Sequence, residues 1–232
     1  MKFEPGKKRY NDYPTFFKTL FEERVQKLSI DGGFTCPNRD GSKGVGGCSF
    51  CNNESFNPDY CRAVRGITEQ IDEGIRFFAR KYKGQRYLAY FQAYSNTYAP
   101  LDVLKLRYEE ALAHPMISGL VVGTRPDVVS KEILDYLEEL AQRYYVCVEY
   151  GVESVNDTVL RQVNRGHDFA VAEQAIRATA GRGITIGAHL IFGLPGESRE
   201  SMLEGAIRLC ELPIQVLKLH QLQIVKGTRL AE

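Results

Sequence analysis

The chain has 232 residues, 44% of them apolar and 25% charged, with a formal net charge of +1. That length allows one large domain with a substantial core, and the near-neutral balance predicts no polyanion partner except through local patches. No apolar run approaches the ~20 residues of a membrane span. The polar opening MKFEPGKKRYNDYP holds no signal-peptide core, so a cytoplasmic protein without a membrane partner is expected, and there a disulfide framework is disfavoured.

Residues 1–23 read as a basic arm bearing aromatic residues, and 24–232 as a single domain. RVQKLSI (24–30) is a first strand that runs into a cysteine-bearing loop. GITEQIDEGIRFFARKY (66–82) has a helical period, with Ile67, Ile71, Ile75 and Phe78 on one face and Thr68 as the cap. Next come a strand at 87–92, a helix at 101–114 ended by Pro115, and a short strand at 119–124. A helix at 130–143 starts on Ser130, and a strand follows at 145–151. Helices are expected near 155–163 and 169–181, then a strand at 183–193, a helix at 198–211 and a strand at 214–224. Strands that are apolar on both faces and alternate with helices imply a parallel sheet covered by helices. Periodicity does not choose between an open doubly wound sheet and a barrel. The chain stops at KGTRLAE directly after the sixth strand, which leaves room for a cut end.

The cysteines stand at 36, 48, 51, 61, 147 and 210. Three of them fall in FTCPNRDGSKGVGGCSFCNNESF (34–56), where Cys48-x2-Cys51 puts two thiolates on one tight turn and Gly46-Gly47 lets the backbone curl. Three readings are open. The loop could hold no metal. It could bind structural zinc with Cys61 as the fourth ligand. Or it could hold an iron–sulfur cluster on three thiolates, leaving one iron open to a chelating amine and carboxylate. Cys147, in an apolar strand, and Cys210, in an amphipathic helix, read as small core hydrophobes.

GGCSFC, with Phe50 as the aromatic residue of Cys-x-aromatic-Cys, resembles the end of the cluster motif of radical S-adenosylmethionine (SAM) proteins. The gap between the first two cysteines is eleven residues here rather than the usual three. The stretched loop resembles that of the Elongator catalytic subunit and, more closely, a bacterial group of radical SAM proteins of the YhcC/YtqA type. The likeness runs through RVQKLSIDGGFTCPNRDG, FQAYSNTYAP, GTRPD, EYGVES, NRGHD and IFGLPGES in order. It implies an α/β fold, a partial (β/α)6 TIM-like barrel with the cluster loop after the first strand and the active groups at the C-terminal strand ends. It also implies a [4Fe–4S] cluster on Cys36, Cys48 and Cys51, bound SAM, and an electron donor such as flavodoxin or ferredoxin.

The resemblance nominates cofactor-binding residues strand by strand. Gln92 and Ser95, after the second strand, would accept from the SAM amino group. In GTRPD, Gly123 stands where oxygen-independent coproporphyrinogen oxidases have a glutamate, and Arg125 is read as facing a carboxylate or phosphate, or as paired with a nearby acid. Glu153 matches a polar residue that faces the ribose, and Arg165 an arginine that holds the SAM carboxylate. His189 ends the fifth strand, where Elongator relatives share a histidine; His220 is a further candidate. The radical chemistry belongs to the cofactor, so no side chain is named as a catalytic acid or base.

For substrate, Lys7, Lys8, Arg9, Tyr10, Arg80, Lys81, Lys83, Arg86 and Tyr87 interleave basic and aromatic side chains that could grip phosphates and stack bases around the barrel mouth. The alternative is exposed helix faces with lysines over a core stripe. The Elongator likeness favours tRNA, with processing of a C5 side chain on the wobble uridine. Two other classes stay open: a radical SAM enzyme acting on a small metabolite or tetrapyrrole, and a non-enzymatic, zinc-bound nucleic-acid module.

Overall fold

The structure, a computed structural model, describes residues 10–55, 57–80 and 85–232. Six strands, β1 (Arg24–Ile30), β2 (Gln85–Phe91), β3 (Ile117–Thr124), β4 (Tyr145–Glu153), β5 (Thr185–Phe192) and β6 (Val216–Gln221), form one sheet. They pair in sequence order, every pair parallel. A doubly wound sheet would reverse its order; this one never does. Each crossover is therefore of one hand, the helices lie on one face, and the sheet curls into a half-barrel with β1 and β6 as its edges.

Helices α1 (Tyr13–Leu20), α2 (Ile67–Ala79), α3 (Leu101–Leu112), α4 (Lys131–Ala141), α5 (Asp157–Gln162), α6 (Phe169–Thr179) and α7 (Arg199–Cys210) complete the chain. Ser130 caps α4 by accepting from the Ile133 amide at 3.3 Å, and Asp168 caps α6 through the Val171 amide at 3.2 Å. Gly66, rather than Thr68, stands at the cap of α2. Thr68 is the second residue of the helix, and its amide and hydroxyl go instead to Glu110 on α3, at 3.1 and 3.3 Å.

The core lies between the sheet's outer face and the helices. Leu28, Ile30, Ala89, Phe91, Leu120, Val122, Val148, Tyr150, Ile186 and Ala188 alternate outward and are buried there. A smaller cluster, Phe17, Leu88, Tyr90, Val121 and Cys147, fills one end of the inner face. Part of the segment read as an arm is thus a docked helix: α1 spaces Tyr13, Phe16 and Phe17 along one side, and Phe17 meets the Tyr145 ring edge-on at 5.5 Å. This closes the N-terminal end of the half-barrel and leaves the C-terminal end open. Residues 1–9, with Lys7, Lys8 and Arg9, lie outside the described residues.

Candidate active site at the open end of the half-barrel

The loop after β1 folds on itself. The Cys36 carbonyl accepts from the amides of Arg39 (2.8 Å) and Asp40 (3.2 Å), and the Cys48 carbonyl from that of Cys51 (3.1 Å). Gly47 has φ +73°, and a Cβ there would come within 2.9 Å of the Arg39 Nε, so the turn that delivers Cys48 requires glycine. The turn after α5 straps the loop down. Asn164 Nδ2 donates to the Gly47 carbonyl at 2.8 Å, Asn38 Nδ2 to the Asn164 carbonyl at 2.6 Å, and the Ser49 amide to the Val163 carbonyl at 2.9 Å.

Cys36, Cys48 and Cys51 line one cavity of about 570 Å³. Nitrogen donors lie near two of the sulfurs: Arg165 Nη1 at 3.6 Å and Asn38 Nδ2 at 3.8 Å from Cys48, and Asn53 Nδ2 at 3.7 Å from Cys51. Among the described residues, no three His, Cys, Asp or Glu side chains converge tightly enough for a single metal ion. Three thiols spread over one cavity wall with N–H donors onto sulfur suit a bulky cluster, each thiolate on its own iron, better than they suit zinc. Cys61 does not line this cavity; it is buried elsewhere, and burial, with Asp31 adding, pushes its thiol up to about 12. Cys147 is buried on the inner face as expected. Cys210 is exposed at the end of α7 and is not a core residue, because the helix turns that side to solvent.

The nominated cofactor residues Phe50, Gln92, Ser95, Arg125, Glu153, Arg165 and His189 all line the same cavity as the three cysteines. Phe50 packs on Val159, Val163 and Leu194 and forms an apolar wall. Gln92 Oε1 accepts from Ser29 Oγ at 3.3 Å, whereas the buried Ser95 Oγ has no partner. Arg165 donates to the Gly151 carbonyl and stands 3.7 Å from Glu153, and its buried Nε is unpartnered. Glu153 itself holds φ +69°, an unusual conformation that coincides with the register shift of β4 against β5 between Gly151 and Glu153. A Cβ at Gly151 would lie 2.5 Å from the Glu153 carboxylate and 2.9 Å from Arg165 Nη2, so the glycine is what admits this pair. Arg125 takes the acid-paired alternative: Asp127 receives its Nε and Nη2 at 2.9 and 3.0 Å, leaving Nη1 without a partner. Beside three thiols, the orphaned guanidinium nitrogens of Arg165 and Arg125 fit a ligand's carboxylate, and the unpartnered Ser95 hydroxyl, accepting, fits its amine.

His189 is tied differently. Its Nε2 lies 2.9 Å from Glu149 Oε2, and the other carboxylate oxygen receives the Lys27 ammonium. Burial raises the Glu149 pKa, but the His189 bond and the Lys27 charge outweigh it and hold the carboxyl well below the usual range. Sequence reasoning passed over Lys27, Tyr90, Glu149 and Lys218. The available signal was polar residues at alternate, inward positions of otherwise apolar strands.

The described members of the basic–aromatic set, Tyr10, Arg80, Arg86 and Tyr87, do not line this cavity. Arg86 and Tyr87 sit at the start of β2, the end opposite the cysteine loop. Arg86 stands 3.7 Å from Glu23, and Tyr87 is buried in the core with its hydroxyl on Gln85, so it cannot stack a base. Arg80 follows α2 at that same end. Tyr10 is exposed, and Lys81 and Lys83 fall outside the described residues. Among the described residues no helix is long and apolar enough to cross a membrane.

Comparison with known proteins agrees with this geometry. The Radical SAM superfamily model matches residues 36–207. The chain is 43% identical to protein YhcC of Escherichia coli K12 over 213 residues, covering 91% of this chain and 68% of that protein. It is 36% identical to YtqA of Bacillus subtilis over 221 residues, covering 95% and 69%. Among solved structures, Elp3 of the archaeon Methanocaldococcus infernus superposes with a TM-score of 0.64 at 16% identity, over 89% of this chain and 48% of that one. Coproporphyrinogen III oxidase of E. coli does so with 0.58 at 17% identity, over 94% and 52%. The chain thus spans about half the length of those two solved proteins, which share its half-barrel. Sequence identity across nearly the whole chain, a cysteine loop on the first strand and a six-stranded half-barrel place the chain in the Radical SAM superfamily, among proteins of the YhcC/YtqA type.

Proposed function

We propose that the protein is a radical SAM enzyme that holds a [4Fe–4S] cluster on Cys36, Cys48 and Cys51 and binds SAM across the open strand ends. The observation that carries this reading is that three thiols and the seven nominated cofactor residues, from separate segments of the chain, line one cavity. With an electron from a donor such as flavodoxin or ferredoxin, the cluster would supply the reductive cleavage of SAM that yields a 5′-deoxyadenosyl radical. The chain's own residues bind and orient. Arg165 presents a guanidinium to the SAM carboxylate, Glu153 accepts from the ribose hydroxyls, and Ser95 and Gln92 accept from the ammonium. Phe50 and its apolar neighbours keep water from one wall.

The substrate we favour is tRNA, with the radical acting on the C5 side chain of the wobble uridine, on the strength of the resemblance to the Elongator core. A flipped-out base could enter the open end; one stacked in a helix could not. A strain lacking the gene is expected to accumulate an unfinished wobble-uridine nucleoside, restored by the wild-type gene and not by Cys48→Ala. A normal nucleoside profile under aerobic and anaerobic growth overturns the tRNA assignment. A small acidic metabolite is the second reading, favoured by the placement of Arg80, Arg86 and Tyr87 away from the mouth.

A further inference from the structure

One wall of the cavity carries charges that the cofactor contacts do not use. Lys27 is satisfied: it holds Glu149 and lies over the rings of Tyr13 and Tyr90, 4.4 and 4.5 Å from their centroids. Glu149 is satisfied in turn by Lys27 and His189. Lys218, on β6 directly across from His189 in the strand register, is not. Its ammonium has the Tyr90 hydroxyl at 3.4 Å and that ring's centroid at 5.5 Å, but no carboxylate of the described residues lies at ion-pair distance. His220, two residues on, packs its ring 5.4 Å from that of His189, and among the described residues its nitrogens have no hydrogen-bond partner. Lys218 and His220 both line the cavity that holds the three cysteines.

We propose that Lys218, with His220 beside it, anchors an acidic group of the substrate, a carboxylate or a phosphate. The assignment of that group to a substrate rests on the radical SAM reading; the anion site rests on the cavity alone. Glu149, on the cavity wall, is already paired with Lys27 behind it, so the Lys218 ammonium on the same wall is a positive charge in excess. An ammonium drawn away from water without a counter-ion is costly, and a negative group entering the cavity relieves that cost. The carboxylate nearest on the upper wall, Glu153, already faces Arg165. Burial lowers the Lys218 pKa, the direction that an arriving anion reverses. Burial, then the charges of Lys218 and His189, bring His220 down to about 4. At neutral pH it is therefore an uncharged ring able to donate one N–H to the same group. A neutral substrate gains nothing from this arrangement and a cationic one is repelled.

The test is amine footprinting of the full chain, reconstituted without oxygen and loaded with SAM. Formaldehyde and a borane reductant methylate unprotonated lysines, and peptide mass spectrometry reads each site. An anion that raises the Lys218 pKa by one unit slows its methylation about ten-fold. Saturating acetate or inorganic phosphate is expected to slow Lys218 by about that factor, while the exposed Lys226 is unchanged. Protection by acetate alone specifies a carboxylate, and by phosphate alone a phosphate. Acetamide, and chloride at the same ionic strength, are the controls. No protection by either anion, or equal protection by acetamide or chloride, overturns the proposal. The readout needs no turnover, so the two readings fail separately. Protection with a normal tRNA nucleoside profile upholds the anion site and directs it to another acid, whereas an altered profile without protection removes the anion site alone.

Discussion

Along β4, successive side chains enter two different environments. Val146, Val148, Tyr150 and Val152 point outward and are buried under helices. Cys147, Glu149, Gly151 and Glu153 point inward, and the last three line the cavity. On β4 the outer face is apolar because helices cover it. The inner face changes along its length: apolar where α1 docks, around Phe17, Leu88 and Val121, and then charged at Lys27, Glu149, His189 and Lys218. A full (β/α)8 barrel fills its interior with layers of branched side chains. This half-barrel fills only the closed end, and the polarity gradient along the inward positions marks where the chemistry sits.

The largest effect that would break this contrast is at the cysteines. Cys36→Ala, Cys48→Ala and Cys51→Ala, each reconstituted without oxygen, are expected to lose essentially all cluster iron and sulfide, while Cys61→Ala keeps about four of each, as the cluster formula requires. Equal loss in Cys61→Ala would move the metal away from the inner cavity.

Next in size is the buried pair. Glu149→Ala strands Lys27 and His189 without their carboxylate and is expected to cost about 3–5 kcal/mol in denaturant unfolding. Replacing both partners, as Lys27→Met with Glu149→Leu, should recover most of that. Leu120→Ala on the outer face costs a comparable amount, about 2–5 kcal/mol, through its cavity, and no partner substitution rescues it. A Glu149→Ala cost no larger than that of a surface change would dissolve the distinction between the faces.

The smallest effect is on pH dependence. Burial, then the charges of Arg165 and Arg125, lower His167 to about 3, and His220 stands at about 4. The Glu149 carboxyl is also held down in the fold. In each case the unfolded chain binds the proton more readily, so stability rises with pH wherever the two states differ. Stability should be flat above pH 6.5, the ordinary histidine value, and fall steadily toward pH 4. His167→Asn and His220→Asn should each flatten that slope, His167→Asn by more, since His220 stands open to the cavity. Denaturation midpoints measured against pH read the slope, and an unchanged slope in both variants would mean that these rings titrate normally in the fold.

The sequence by itself determined the alternation of strands and helices, the position of the cysteine loop and the order of the motifs. Each is written in local spacing: period 3.6 in α2 and α4, period 2 and turn residues in the strands, and three cysteines on one short loop. Strand ends were legible to within three residues; β4 runs on to Glu153, past a register shift against β5 between Gly151 and Glu153, where Glu153 takes φ +69°. Only the tertiary structure decided which groups meet. Lys27 and Glu149 are 122 residues apart, and nothing local to either announces the other. Whether Arg125 meets a ligand or Asp127 was a question of side-chain direction, and Asp127, two residues away, won because a bidentate pair closes without moving the backbone. The same holds for α1, part of the segment read as a basic, aromatic-bearing arm, which packing makes a docked helix with Phe17 as the plug of the half-barrel. Local chemistry is encoded residue by residue, but the pairing of distant charges and the closing of a cavity follow from how the sheet curls.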